Sequence, residues 1–207
     1  MRCSRRRGGA PAAQLARHAL VGGLAEPAFG YLVAAGDQAM EVFAAQDAIE
    51  QYERARSLLA KEDVRTGGGQ LVEASIPELE HLYTQLGRAY ELTNEWGKAQ
   101  AAYETMLALG QQLGEARLEV VSLNHLAILA FHQEADPPRA EALLEEARGV
   151  AEEAGLKEAL VETECTLADV MTYGVGEFEP SGPLARKALA SARALEEERP
   201  DLVARAL

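Results

Sequence analysis

Tyr83-Thr84-Gln85-Leu86-Gly87-Arg88-Ala89-Tyr90, followed by Ala99, Tyr103 and Met106, is the stretch that decides the fold. The spacing marks two helices joined by a short turn. Gly87 stands in the interior of the first, where glycine costs about 1 kcal/mol relative to alanine. Helix propensity therefore cannot account for it. Packing can: a missing side chain lets a partner helix approach, and Tyr90 and Tyr103 then fill the space between helices and toward the next unit.

Working outward, the same pattern recurs. Leu86-Gly87 aligns with Leu126-Ala127 and with Leu167-Ala168, 40 and 41 residues apart. The small–large–small series of the second helix, Ala99, Tyr103 and Met106, returns as Ala140, Leu144 and Ala147, and as Ala185, Leu189 and Ala192. An earlier copy is Ala48, Tyr52 and Ala55, preceded by a helix expected over 28–43. Leu113-Gly114 and Ala154-Gly155 close second helices with a glycine suited to a left-handed C-terminal position. Ser75 and Glu78 form a capping-box pair with Pro77 in the first turn. Asp136-Pro137-Pro138 and Ser181-Gly182-Pro183 read as caps of later second helices. No unit of this kind buries its apolar face alone, so stability comes from stacking.

These periods divide the chain into a basic tail over 1–12, irregular helical units over 13–60, a loop over 61–74 and a repeat array over 75–207. Within the array the units are 75–114, 115–155, 156–198 and a partial unit over 199–207. The break at 174–182 lengthens the turn of the last full unit. The start of a helix at 201–207 suggests a fragment of a larger protein.

Composition agrees with an ordered helical protein. Of 207 residues 48% are hydrophobic and 26% charged, with only 5% aromatic. The net charge of −13 is uneven: Arg2, Arg5, Arg6, Arg7 and Arg17 stand in a stretch without acids. Removing those five from 20 Lys and Arg leaves 15 against 33 acids, about −18 for the remainder. Such a body repels nucleic acid and anionic membranes. Two cysteines, Cys3 and Cys165, are too few for a disulfide framework or zinc site, which points to a reducing, cytoplasmic setting. No segment approaches the roughly 18 unbroken apolar residues of a membrane span.

The quoted residues resemble the tetratricopeptide repeat family in a roughly 40-residue form, most closely over 80–114. Departures are Tyr83 where the family has Trp, Ala127 and Ala168 where it has Gly, and no terminal Pro after Met106. The resemblance implies an all-α fold, an α-α superhelix of antiparallel helix pairs. A narrower likeness covers Leu15-Ala16-Arg17-His18, Gly23-Leu24, Ala28, Tyr31, Ala34-Ala35-Gly36, Ala39 and Ala48-Ile49. These residues are similar to the segment that follows the ATPase core in bacterial multidomain signalling regulators, including maltose-regulator-like activators. It implies a sensor region that binds a protein, peptide or small inducer and restrains a fused or associated ATPase.

The first helices of such arrays line a concave groove. Carried over position by position, the groove residues are His81, Thr84, Arg88 and Glu91 in the first unit. Asn124, Ile128, Phe131 and His132 follow in the second, and Glu162, Cys165, Asp169 and Tyr173 in the third. No catalytic residue, metal or cofactor is expected. The chain has no P-loop, since Thr66-Gly67-Gly68-Gly69-Gln70 lacks the lysine, and no basic recognition helix for DNA. His125 and His132, seven apart with Glu134 nearby, raise a metal-dependent enzyme as a third reading, but the two-His metalloprotease spacing is missing. The acidic pairs at 145–146 and 152–153 and the run at 196–198 fit solvated helix faces. The leading expectation is a non-enzymatic binding module of a regulator; the alternative is a stand-alone scaffold.

Overall fold

The computed structural model describes residues 12–59, 72–133 and 135–171, together with Arg186, Leu189, Ala190, Ala192 and Arg193. Among the described residues the protein is all-α, with eight helices and no strand. They are α1 (Ala12–Val21), α2 (Ala25–Glu41), α3 (Ala45–Leu59), α4 (Ile76–Leu92), α5 (Trp96–Leu113), α6 (Ala116–His132), α7 (Pro137–Glu153) and α8 (Lys157–Val170). The chain divides into two compact units, Met1–Glu95 and Trp96–Leu207. Within the first, α1 packs on α2, α2 on α3 and α3 on α4, and α2 also touches α4. Within the second, the order is α5 on α6, α6 on α7 and α7 on α8, with α6 also touching α8. Within each unit consecutive helices are thus neighbours, and α2 reaches α4 in the first as α6 reaches α8 in the second.

The small–large–small register is the core. Ala48, Tyr52 and Ala55 are fully buried, as are Ala99, Tyr103 and Met106, and Ala140, Leu144 and Ala147. Of the last copy, Ala192 is fully buried, whereas Ala185 lies outside the described residues. The structure adds an earlier copy in α1, where Ala12, Ala16 and Ala19 are buried at the same spacing. Ala12 is therefore a core residue of a helix and not the end of a tail.

Packing accounts for the close approach of α2 and α3. A Cβ on Gly36 would lie 2.3 Å from the nearest atom of the Tyr52 ring. Gly36 stands in α2 where Gly87 stands in α4, 51 residues later. In the second unit the end of α5 crosses the start of α6 at Gly110, where a Cβ would lie 2.9 Å from the Glu119 amide nitrogen.

Turns and caps follow from local chemistry. Gly23, Gly114 and Gly155 take left-handed backbone after α1, α5 and α7. Phe43, Asn94 and Ala135 do the same after α2, α4 and α6. At five of these six turns the following N–H donates to the carbonyl five residues back, as Glu95 does to Tyr90 at 2.9 Å and Leu156 to Ala151 at 2.9 Å. That bond satisfies a carbonyl the helix end leaves open. At the sixth, Asp136 donates to Ala130, six residues back. Ser75 donates its N–H and hydroxyl to Glu78 Oε2 at 2.8 and 2.7 Å, forming the expected capping box at α4. The Asp136 carboxylate accepts the Arg139 N–H at 3.1 Å and caps α7. Beyond α3, Val72 is buried and its N–H donates to the Leu58 carbonyl. The expectations over 1–11, 61–71, 174–183 and 199–207 lie outside the described residues.

Candidate functional site

In the first unit the first helices α2 and α4 meet through side chains. Tyr52, fully buried on α3, donates its hydroxyl to Asp37 Oδ1 at 2.7 Å. His81 Nε2 lies 2.9 Å from Asp37 Oδ1 and 3.1 Å from Oδ2, joining α4 to α2. Burial first, then the hydrogen bond to the Asp37 carboxylate, raises the Tyr52 pKa far above its ordinary value. The phenol is therefore a permanent donor, and Asp37 is held between two partners from two different helices. Arg88 acts on Tyr52 through its positive charge in the opposite sense.

Beside this trio lies a cleft of about 320 Å³, open to solvent. From α2 it is lined by Phe29, Gly30, Val33, Ala34 and Asp37; from the start of α4, by Pro77, Glu78 and His81. The 51-residue register that pairs Gly36 with Gly87 also pairs Gly30, Val33 and Asp37 with His81, Thr84 and Arg88. The cleft therefore occupies the groove positions of two successive first helices. Carrying that register backward from Gly87 finds the α2 residues, which the sequence reading left out.

A second polar cluster supports α4 from behind. Tyr90 is buried and donates its hydroxyl to Glu53 Oε1 on α3 at 2.6 Å, while Arg56 pairs with Glu53 at 2.6 Å. Burial, followed by the Glu53 bond, raises the Tyr90 pKa. Burial likewise raises that of Tyr83, opposed by Arg56.

The remaining groove candidates divide by exposure. In the first unit His81 and Arg88 are exposed and Glu91 is half-buried. Thr84 is half-buried, its hydroxyl without a hydrogen-bond partner among the described residues. In the second unit His132 is exposed, edge-on to the half-buried Phe131 at 4.8 Å, and Ile128 is half-buried. Asp169 is exposed and Glu162 half-buried, while Tyr173 lies outside the described residues.

Asn124 and Cys165 depart from the expectation: both are buried. The Thr163 hydroxyl sits 3.0 Å from Asn124 Oδ1 and 2.9 Å from the Ala159 carbonyl, so the amide ties α6 to α8 internally. Neither Asn124 nor Cys165 presents a groove-lining surface. His125 stacks flat on Tyr103, with ring centroids 4.5 Å apart and planes 6° from parallel. It is a packing residue between α5 and α6, and no group of three or more candidate metal ligands converges among the described residues. Sequence reasoning missed Glu164, fully buried on α8 at the register of Leu123 and Tyr83.

No protein-family model matches the chain, and no curated protein matches it. The functional reading therefore rests on its own residues. No helix among the described residues is long and apolar enough to cross a membrane.

Proposed function

We propose that this chain is a non-enzymatic binding module of the tetratricopeptide-repeat kind, whose first helices present a groove to a protein or peptide partner. We further propose that it acts in the cytoplasm as the sensor region of a bacterial signalling ATPase or transcription regulator. The observation that carries the binding part is the Asp37–His81 link between α2 and α4 beside an open cleft. Polar side chains are held in place there at groove positions, and the cleft gives a ligand apolar surface to cover. Sites of this make-up, apolar walls with a few fixed polar groups, are the usual places for ligands to bind.

Two measurements test the two parts separately. A protein or peptide retained by the immobilised full chain is expected to be lost on Arg88→Ala, with thermal unfolding unchanged. Equal retention by Arg88→Ala, His81→Ala and wild type would remove the groove from the reading. For the regulator part, a P-loop ATPase core in the adjoining upstream reading frame supports it. An unrelated, separately transcribed gene there would leave the stand-alone scaffold in its place.

A further inference from the structure

The cleft between α2 and α4 carries a chemistry more specific than a general groove. Its floor is apolar: Phe29, Val33 and Ala34. Its polar groups are two carboxylates, Asp37 and Glu78, and the imidazole of His81, with no lysine or arginine in the lining. Both carboxylates are held in place: Tyr52 and His81 hold Asp37, and Ser75 holds Glu78. Both hydrogen bonds from Ser75 fall on Glu78 Oε2, so the Oε1 oxygen of that carboxylate is not used by the cap. Two fixed anions above an apolar floor complement a cation on an aliphatic stem.

Gly30, also in the lining, leaves that part of the cleft without a side chain. It lies within α2, where glycine costs about 1 kcal/mol relative to alanine, yet a Cβ built there meets nothing within 4 Å. Unlike Gly36, it is not required by a neighbouring helix. Its missing side chain leaves the mouth of the cleft open to the close approach of another backbone. From His81 the same face of α4 continues to Thr84 and Arg88, a path along which a peptide extends and a small amine does not.

We propose that this cleft takes the arginine or lysine side chain of an extended peptide. Its aliphatic stem lies on Phe29, Val33 and Ala34, its cation meets Asp37 and Glu78, and its backbone passes over Gly30. The proposal rests on the groove reading above and narrows it to a basic peptide segment.

The test is an NMR titration of the ¹⁵N-labelled full chain with capped pentapeptides Ala-Ala-Xaa-Ala-Ala, where Xaa is arginine, norleucine or glutamate, and with n-butylguanidinium. The arginine peptide is expected to move the amide signals of Val33, Asp37, Glu78 and His81. The norleucine and glutamate peptides should bind at least about tenfold more weakly. Gly30→Leu, which fills the mouth with a better helix former, and Asp37→Asn should each lower affinity for the arginine peptide at least about tenfold. Equal binding of norleucine and arginine peptides would overturn the proposal, as would unchanged affinity in Gly30→Leu. Equal binding of n-butylguanidinium would replace the peptide by a small cation and overturn it too. Shifts confined to Thr84, Arg88 and Glu91 would overturn the cleft while leaving the groove reading standing.

Discussion

Each compact unit ties one first helix to the next by a side-chain hydrogen bond, and the two units do it differently. In the first, Asp37 and His81 form a partly exposed carboxylate–imidazole link beside an open cleft. In the second, Asn124 and Thr163 form a neutral, buried one. The second-helix cores differ in step. Gly36 receives the Tyr52 ring in the first unit, and Ala127 shares a cluster with Leu144 in the second. Volume moves from one partner to the other while the sum stays similar, as close-packed interiors require. A buried link is pure structure, whereas a partly exposed one leaves polar groups within reach of a ligand.

The largest expected break of this comparison is Tyr90→Ala, which removes a buried ring and its bond to Glu53 from the first unit. A loss of about 3–5 kcal/mol is expected from chemical denaturation; an unchanged midpoint would mean that the ring does not fill the α3–α4 interface. Gly36→Ala comes next, at about 1–3 kcal/mol, because the new methyl meets the Tyr52 ring. Adding Tyr52→Leu should restore part of that loss by recreating the Ala–Leu pair of the second unit. No recovery in the double variant would refute the exchange of volume.

The links themselves give smaller effects of unequal size. Thr163→Val leaves the buried Asn124 amide without its donor and should cost about 1–3 kcal/mol. His81→Gln, at an exposed link, should cost no more than about 0.5 kcal/mol. Equal costs would erase the distinction between the units. The smallest effect concerns pH. Ser75 holds the Glu78 carboxyl below its ordinary value of 4.5. A lowered native pKa stabilises the fold above the unfolded value, and the contribution is lost as pH falls through the native one. Wild type should therefore melt slightly above Glu78→Gln near neutrality, by a few tenths of a kcal/mol after screening. That gap should close in acid; a gap independent of pH would mean that the capping charge contributes nothing.

The cores were legible because their pattern is distinctive: Ala48, Tyr52 and Ala55 announce a helix face by residue size alone. Helix α1 carries the same face as Ala12, Ala16 and Ala19, and without a large residue that copy resembles ordinary alanine-rich chain. The site was legible only in part. His81 and Arg88 were found by register, but Asp37 pairs with Tyr52 and His81 across 15 and 44 residues, which only tertiary placement reveals. Asn124 misled because a groove position carried over from the repeat register does not fix burial, and a polar group with a partner is at home inside. Glu164 was passed over, since a carboxylate at a core register looks like a surface residue.

The six left-handed turns place little demand on which residue fills them. They are closed by backbone hydrogen bonds, and glycine, phenylalanine, asparagine and alanine all occupy the critical position. Phe43 is 88% exposed there, so its ring is no requirement of the turn. At Ala135 the turn has taken in one more residue, and both the buried Ala140, Leu144 and Ala147 and the cap at Asp136 keep their places. These corners therefore accept different residues, and one extra residue, while the buried helix faces on either side keep their register.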